Sequence, residues 1–244
     1  MKSVWIILLI FCGMAWLSCA SRSGSLNHAD KVADISKVWN QEFKSESDAE
    51  KILNQYTIPF RIDNPLIEPG SISSSIRRVD PSHEEQIYCK AILLDSLSTE
   101  ADIRYQARKD SLDQKAYTEY RQKYLQEKVQ NGQFRIRIEM ESGFSSLSIN
   151  PKFWSMYIVN ARGVMIEPLQ IVAIPVISEQ DSVYSSSHRI KLARNRIRGE
   201  ITLIFNRITF FKEDLFGPNN RSITLEITRD QKTLARVAWK ISGK

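Results

Sequence analysis

The sequence predicts a mainly β protein: an antiparallel β-sandwich that follows an N-terminal helical segment and carries a long helical insertion. Three observations lead there. Phe134, Ile136, Ile138 and Met140 alternate with Arg135, Arg137, Glu139 and Glu141, the period of two that a half-buried strand shows. Seven more β-rich runs follow with turn residues between them and no helical pattern among them, which argues for short strands pairing with near neighbours. Finally, 42% of the 244 residues are hydrophobic and 25% charged, so a sizeable core can form and disorder is excluded.

The elements can be justified in chain order. Ala20 to Asn27 (ASRSGSLN) is small and polar, the composition of a tether, which together with Cys19 makes a segment 19–27. From His28 the spacing turns helical: Val32, Ile35, Val38 and Trp39 recur at three and four, then Ala49, Ile52 and Leu53 after a polar stretch, predicting two short helices. Pro59, Pro65, Pro69-Gly70 and Ser71 to Ser75 then form a connector, dividing 28–80 from a body at 81–244. Glu84 to Asp95 begins by alternating and ends continuously apolar, a strand that enters a core. Thr99 with Asp102 offers a start resembling a capping box, and no Pro or Gly interrupts the chain before Gly132. Leu112, Ala116, Tyr120 and Tyr124 recur every four residues, so one amphipathic helix over 99–131 is predicted on the outside of the core. The seven later runs are 154–159, 164–167, 169–177, 189–193, 201–205, 223–228 and 233–241, with turns at 160–163, 217–220 and 229–232. Ile223, Leu225 and Ile227 against Val237, Trp239 and Ile241 predict a closing hairpin. Short strands at this spacing are the pattern of an immunoglobulin-like sandwich.

The N-terminus reads as an address. After Met1-Lys2, thirteen residues from Val4 to Trp16 carry no charge. Crossing about 30 Å of hydrocarbon takes about 20 apolar residues, so the run is short for a permanent helix and fits a secretory signal peptide over 1–18. A retained membrane helix is the competing reading.

The junction Trp16-Leu17-Ser18-Cys19 resembles the lipobox of bacterial lipoprotein precursors, in which a small residue precedes a Cys that is lipidated and becomes the first mature residue. Ser18 and Cys19 hold the last two positions; Trp16 stands where that family usually has Leu, a departure of the looser kind found in spirochaetes. The resemblance covers four residues and implies a lipid anchor on Cys19, with palmitate among its acyl chains, and a place in the cell envelope. Ala20 after the Cys, rather than Asp, implies the outer membrane under the enteric sorting pattern. Ser18-Cys19-Ala20 also has the small-x-small form of an ordinary signal-peptidase site, so cleavage after Ala20 is the alternative. With Cys12 leaving with the signal and Cys19 acylated, Cys89 is the only thiol left in the body, which excludes an internal disulfide; a free thiol on Cys19 would instead leave a Cys19–Cys89 bridge open.

Chemistry-bearing patterns are sparse. His28, His83 and His188 are far apart, and none has a second ligand at metal-binding spacing. No nucleophile elbow, phosphate loop, dinucleotide fingerprint or calcium loop occurs, so no catalytic residue, metal or cofactor is expected. Cys89 alternates with Ile87 and Ala91 in an apolar run, the place of an inert buried thiol. The run His188 to Arg198 is the strongest feature: Arg189, Lys191, Arg194, Arg196 and Arg198 occur with no carboxylate among them. On one reading they form a stripe for anionic lipid headgroups, lipopolysaccharide or acidic glycans; on the other they guard an exposed strand edge. No aromatic residue lies within the run for base stacking, which sets nucleic acid aside. Tyr105, Tyr117, Tyr120 and Tyr124 offer either a docking row or a cover for the sheet.

The function these readings predict is non-catalytic: a lipid-anchored envelope protein serving as a binding or interaction module, adhesin-like or part of an assembly. Its partners would be the membrane, through the lipid, and a protein or anionic ligand. The alternative is an envelope carrier or enzyme for a small molecule or lipid, which needs a concave pocket.

Overall fold

The computed structural model describes residues 31–36, 38, 48–63, 86–128, 132–142, 154–184 and 191–241, and over 175–184 and 191–196 the backbone alone is described. Half of the architecture follows from alternation. Along β4 (Gln133–Ser142), Phe134, Ile136, Ile138 and Met140 are buried in one core. On β3 (Gln86–Leu94) the same side is taken by Ile87, Cys89, Ala91 and Leu93. β8 (Lys191–Asn206) adds Ile201, Leu203 and Phe205. With β2 (Thr57–Asp63) and β7 (Gln170–Tyr184) these make a five-stranded antiparallel sheet ordered β2-β3-β4-β8-β7.

A second five-stranded sheet is ordered β1-β10-β9-β5-β6. Its strands are β1 (Lys31–Asp34), β5 (Ser155–Asn160), β6 (Met165–Ile166), β9 (Ser222–Arg229) and β10 (Lys232–Lys240). All its pairs are antiparallel except β1 with β10. Ile158, Leu225, Val237 and Trp239 from this sheet join the core of the first. The protein is therefore mainly β, as the alternation predicts. The closing hairpin forms in the expected register, Val237 opposite Leu225 and Trp239 opposite Ile223. Its turn places Asp230 and Gln231 at φ 48° and 66°, the doubly left-handed conformation that matches strand twist, achieved without glycine.

Helices cover the outer face of the first sheet at one end. α1 (Asp48–Tyr56) fits the expected second short helix, burying Ala49, Ile52, Leu53 and Tyr56. Leu53 meets Ile92 and Leu94 on the outward side of β3, with Tyr105 against them. α2 (Ser96–Lys109) and α3 (Gln114–Lys128) lie between β3 and β4 in the chain.

Several expectations need correction. The helix expected around Val32, Ile35 and Val38 is instead strand β1 followed by a turn, because Lys31 to Asp34 pair in parallel with Val237 to Lys240; Trp39 lies outside the described residues. Pro59 sits inside β2 rather than a connector, which its place on a sheet edge permits. The single helix of 99–131 is two. Ser111 takes φ 54° after α2, and Asp113 restarts the helix by accepting from the Ala116 N–H at 2.8 Å. The start of α2 is also earlier than Thr99: Asp95 accepts from the Ser98 N–H, and Ser98 Oγ accepts from the Asp95 N–H, both at 2.8 Å. Of the runs expected at 189–193 and 201–205, residues 191–193 and 201–205 belong to one strand, since β7 pairs with β8 from Lys191 to Ile204, while 189 and 190 lie outside the described residues.

Candidate functional site

The basic run falls on β8. Arg189 and His188, with His28 and His83, lie outside the described residues. Lys191, Arg194 and Arg196 are positioned by the β7 ladder, opposite Tyr184, Asp181 and Glu179. So while no carboxylate interrupts the run in sequence, two acidic residues face it across the ladder. Arg198 is opposite Ile177 on one side and Glu141 on the other, with its Nε 3.6 Å from the Glu141 carboxylate and half of its side chain exposed. β4 pairs with β8 only from Asn206 back to Ile197. Among the described residues, therefore, 191–196 continue past the five-stranded sheet paired with β7 alone, as a two-stranded ribbon that displays the cationic positions.

A second feature was hidden in the sequence. Pro59, Lys90, Glu139, Glu200 and Ile174 are successive partners across all five strands of this sheet, forming one rung of its outer face. Beside them a depression of about 540 Å³ opens. The next rung holds Arg61, Tyr88, Glu141 and Arg198, with the Arg61 guanidinium 4.9 Å from the Tyr88 ring centre. Signs are mixed along both rungs, so the face favours neither a simple anion nor a cation. Contributors from five strands share no sequence spacing, and only the outward half of each alternation signalled them.

Beneath the helices lies a buried polar cluster. Arg137 Nη1 and Nη2 donate to the two Asp102 carboxylate oxygens at 2.8 Å each, and the Tyr124 hydroxyl donates to Asp102 at 2.9 Å. The Arg135 guanidinium stands 5.3 Å from the Tyr124 ring centre. Burial, then the Asp102 charge, push the Tyr124 hydroxyl up to about 12. Burial opposes the charge of Arg137, yet the Asp102 hydrogen bonds and charge outweigh it and hold the guanidinium above its ordinary range. Asp102 is fully buried, so this cluster fastens α2 and α3 to β4 and offers no access to a substrate. The tyrosine row belongs to the same cover: Tyr124 is buried and Tyr105, Tyr117 and Tyr120 are half-buried.

Cys89 is 3% exposed among core side chains, and burial raises its thiol well above the ordinary range, which leaves it protonated and poorly nucleophilic. A cleft of about 680 Å³ lies between α1 and the α2–α3 turn and includes Glu50, Arg104, Arg108, Lys109 and Tyr117. Arg104 there is tied to Glu100, which Arg121 and the Tyr117 hydroxyl also contact.

Sequence reasoning passed over one more surface. After β8 the chain makes a tight loop whose Phe210 is 95% exposed and Phe211 77%. The two rings meet edge to face at 5.6 Å. The loop is pinned below them: Arg207 Nε and Nη2 donate to Asp214 at 2.9 Å each, and the Thr209 and Glu213 backbones are bonded at 2.9 Å. Adjacent phenylalanines amid charged residues were the available signal. No helix of the described residues is long and apolar enough to cross a membrane. No protein-family model matches the chain, and no curated protein is significantly similar to it.

Proposed function

We propose that the chain is a non-catalytic, lipid-anchored protein of the cell envelope that acts as a binding module, adhesin-like or within an assembly, with an acyl anchor on Cys19 at the outer membrane. The observation that carries the binding role is the β7–β8 ribbon. Among the described residues, 191–196 lie beyond the last β4 partner and pair with β7 alone, which puts positions Lys191, Arg194 and Arg196 on a two-stranded ribbon for contact with an anionic partner. A sealed cluster at Asp102 and a protonated, buried Cys89 support a non-catalytic reading.

The strand order supports an immunoglobulin-like sandwich as the platform. In that fold strands A-B-E-D form one sheet and C-F-G the other. Here β3-β4-β8-β7 and β5-β9-β10 follow the same order, with α2 and α3 inserted between the first and second strands. The role of such a platform is to hold connecting segments rigidly for contact.

Two measurements test the proposal. Cys19→Ala should abolish palmitate incorporation and release the protein from the membrane fraction; unchanged partition would make the run 4–16 the anchor. Substituting Arg194→Gln, Arg196→Gln and Arg198→Gln together should lower binding to a sulfated glycan at least tenfold and flatten its salt dependence, with thermal stability nearly unchanged because exposed ion pairs contribute little. Equal binding by both proteins would remove the ribbon as a site. A small molecule co-purifying in a native mass spectrum would instead favour a carrier or enzyme, with the 680 Å³ cleft as its place.

A further inference from the structure

We propose that the Phe210–Phe211 loop is an insertion tip that enters the headgroup–acyl boundary of a phospholipid bilayer and sets how the tethered protein stands on it. The inference rests on the anchoring at Cys19 proposed above and adds an orientation to it. Phe210 and Phe211 are the two most exposed large apolar side chains of the described residues, and Ile208 beside them is 48% exposed. They are displayed by construction rather than left over. The Arg207–Asp214 pair, the Ile208–Asp214 bridge and Asn220 Nδ2, which donates to Glu213 and to the Asp214 carbonyl, hold the loop from beneath. Arg207 holds the Asp214 carboxyl below the usual range, so this clamp persists into mild acid.

Shape and charge favour a fluid surface over a protein pocket. Two phenylalanines offer about 300–500 Å² at most, well short of the roughly 800 Å² per partner of a standard protein interface. A convex wedge needs no complementary cavity in a bilayer, where aromatic and aliphatic side chains sink about 5–10 Å below the headgroups. Around the tip, Asp214 is taken up by Arg207, and Glu213 by Arg162 and Asn220. Lys212, exposed and adjacent to Phe211, then supplies positive charge at the level of the lipid phosphates.

The tether can reach. β1 runs toward the end of the fold where the tip emerges, since Asp34 pairs with Lys240 and the Ile241 N–H donates to the Arg221 carbonyl. Lys31 lies three residues back, about 10 Å, and the four strand spacings from β1 to β6 add about 19 Å sideways. Eleven residues from Ala20 to Asp30 span at most about 36–40 Å. An acyl chain on Cys19 and the tip can therefore occupy one bilayer. Arg194, twelve residues before Asn206 on β8, is then carried about 40 Å away, so the cationic ribbon faces outward from that membrane.

The test uses the full-length protein in phosphatidylcholine–phosphatidylglycerol vesicles with brominated acyl chains. Phe210→Trp and, at the opposite end of the fold, Lys232→Trp each add one indole to Trp39, Trp154 and Trp239, the three that remain when cleavage precedes Cys19, and their emission is read as a difference from the unsubstituted protein after flotation. The tip predicts that the Phe210→Trp increment is blue-shifted and loses at least half its intensity to bromolipid, while the Lys232→Trp increment is unchanged. Flotation with no quenching at position 210 would overturn the tip and leave the anchor standing; crosslinking at that position to a protein or to a second copy would then identify what covers it. Equal quenching at both positions would overturn the orientation. Failure of the unsubstituted protein to float would overturn the anchor, and the tip with it.

Discussion

Trp239→Ala is expected to lower the unfolding free energy by about 3–5 kcal/mol, the range for removing a large aromatic side chain from a core that cannot collapse around the gap. Trp239 is fully buried on β10, inside the cluster that both sheets share. Its indole N–H donates to the Tyr56 carbonyl at 2.8 Å, which ties the second sheet to the junction of α1 and β2 across 183 residues of sequence. Trp239→Phe keeps most of the apolar contact but leaves that buried carbonyl without its donor, a loss of about 1–3 kcal/mol. Urea unfolding should therefore rank the native protein above Trp239→Phe, and that above Trp239→Ala. Whole-domain stabilities are typically about 5–15 kcal/mol, so the Ala variant should unfold at markedly lower denaturant. An Ala variant within about 1 kcal/mol of the native protein would show that the sheets do not depend on this contact.

How much of this was visible beforehand can be judged residue by residue. Strands β4, β9 and β10 were legible because their burial alternates and their partners lie close in sequence, as Ile223 and Trp239 do. β1 was not, because it is a four-residue strand held by a parallel partner about two hundred residues away, and the described residues buried just after it, Ile35 and Val38, have a spacing of three that imitates a helix. The break between α2 and α3 was invisible because Ser111 adopts the left-handed conformation with no glycine or proline to announce it. The candidate surfaces failed in the same way. Glu179 and Asp181 meet the cationic run only through the β7–β8 register, and Phe210–Phe211 acquire meaning only from exposure.

Arg135 and Arg137 are the sharpest case, since alternation marked them as the solvent side of β4, and that side proved to be roofed by α2 and α3. The energetic consequence is that Arg137→Met should destabilise the protein by about 3–5 kcal/mol, although it replaces a charge by an apolar side chain in a buried place. The cost comes from what stays behind: the fully buried Asp102 carboxylate would keep the Tyr124 hydroxyl and lose both guanidinium bonds. Arg137→Lys should fall between, because an ammonium restores charge but cannot span both oxygens. Removing the stranded carboxylate as well, in Asp102→Leu with Arg137→Met, should recover most of the loss, since a buried ion pair exchanged for apolar volume is often close to neutral. The two substitutions should thus be strongly non-additive, with a coupling of about 2–3 kcal/mol in a double-mutant cycle read by urea unfolding. Additive losses would mean that Arg137 and Asp102 each stabilise the helical cover independently, through packing rather than through each other.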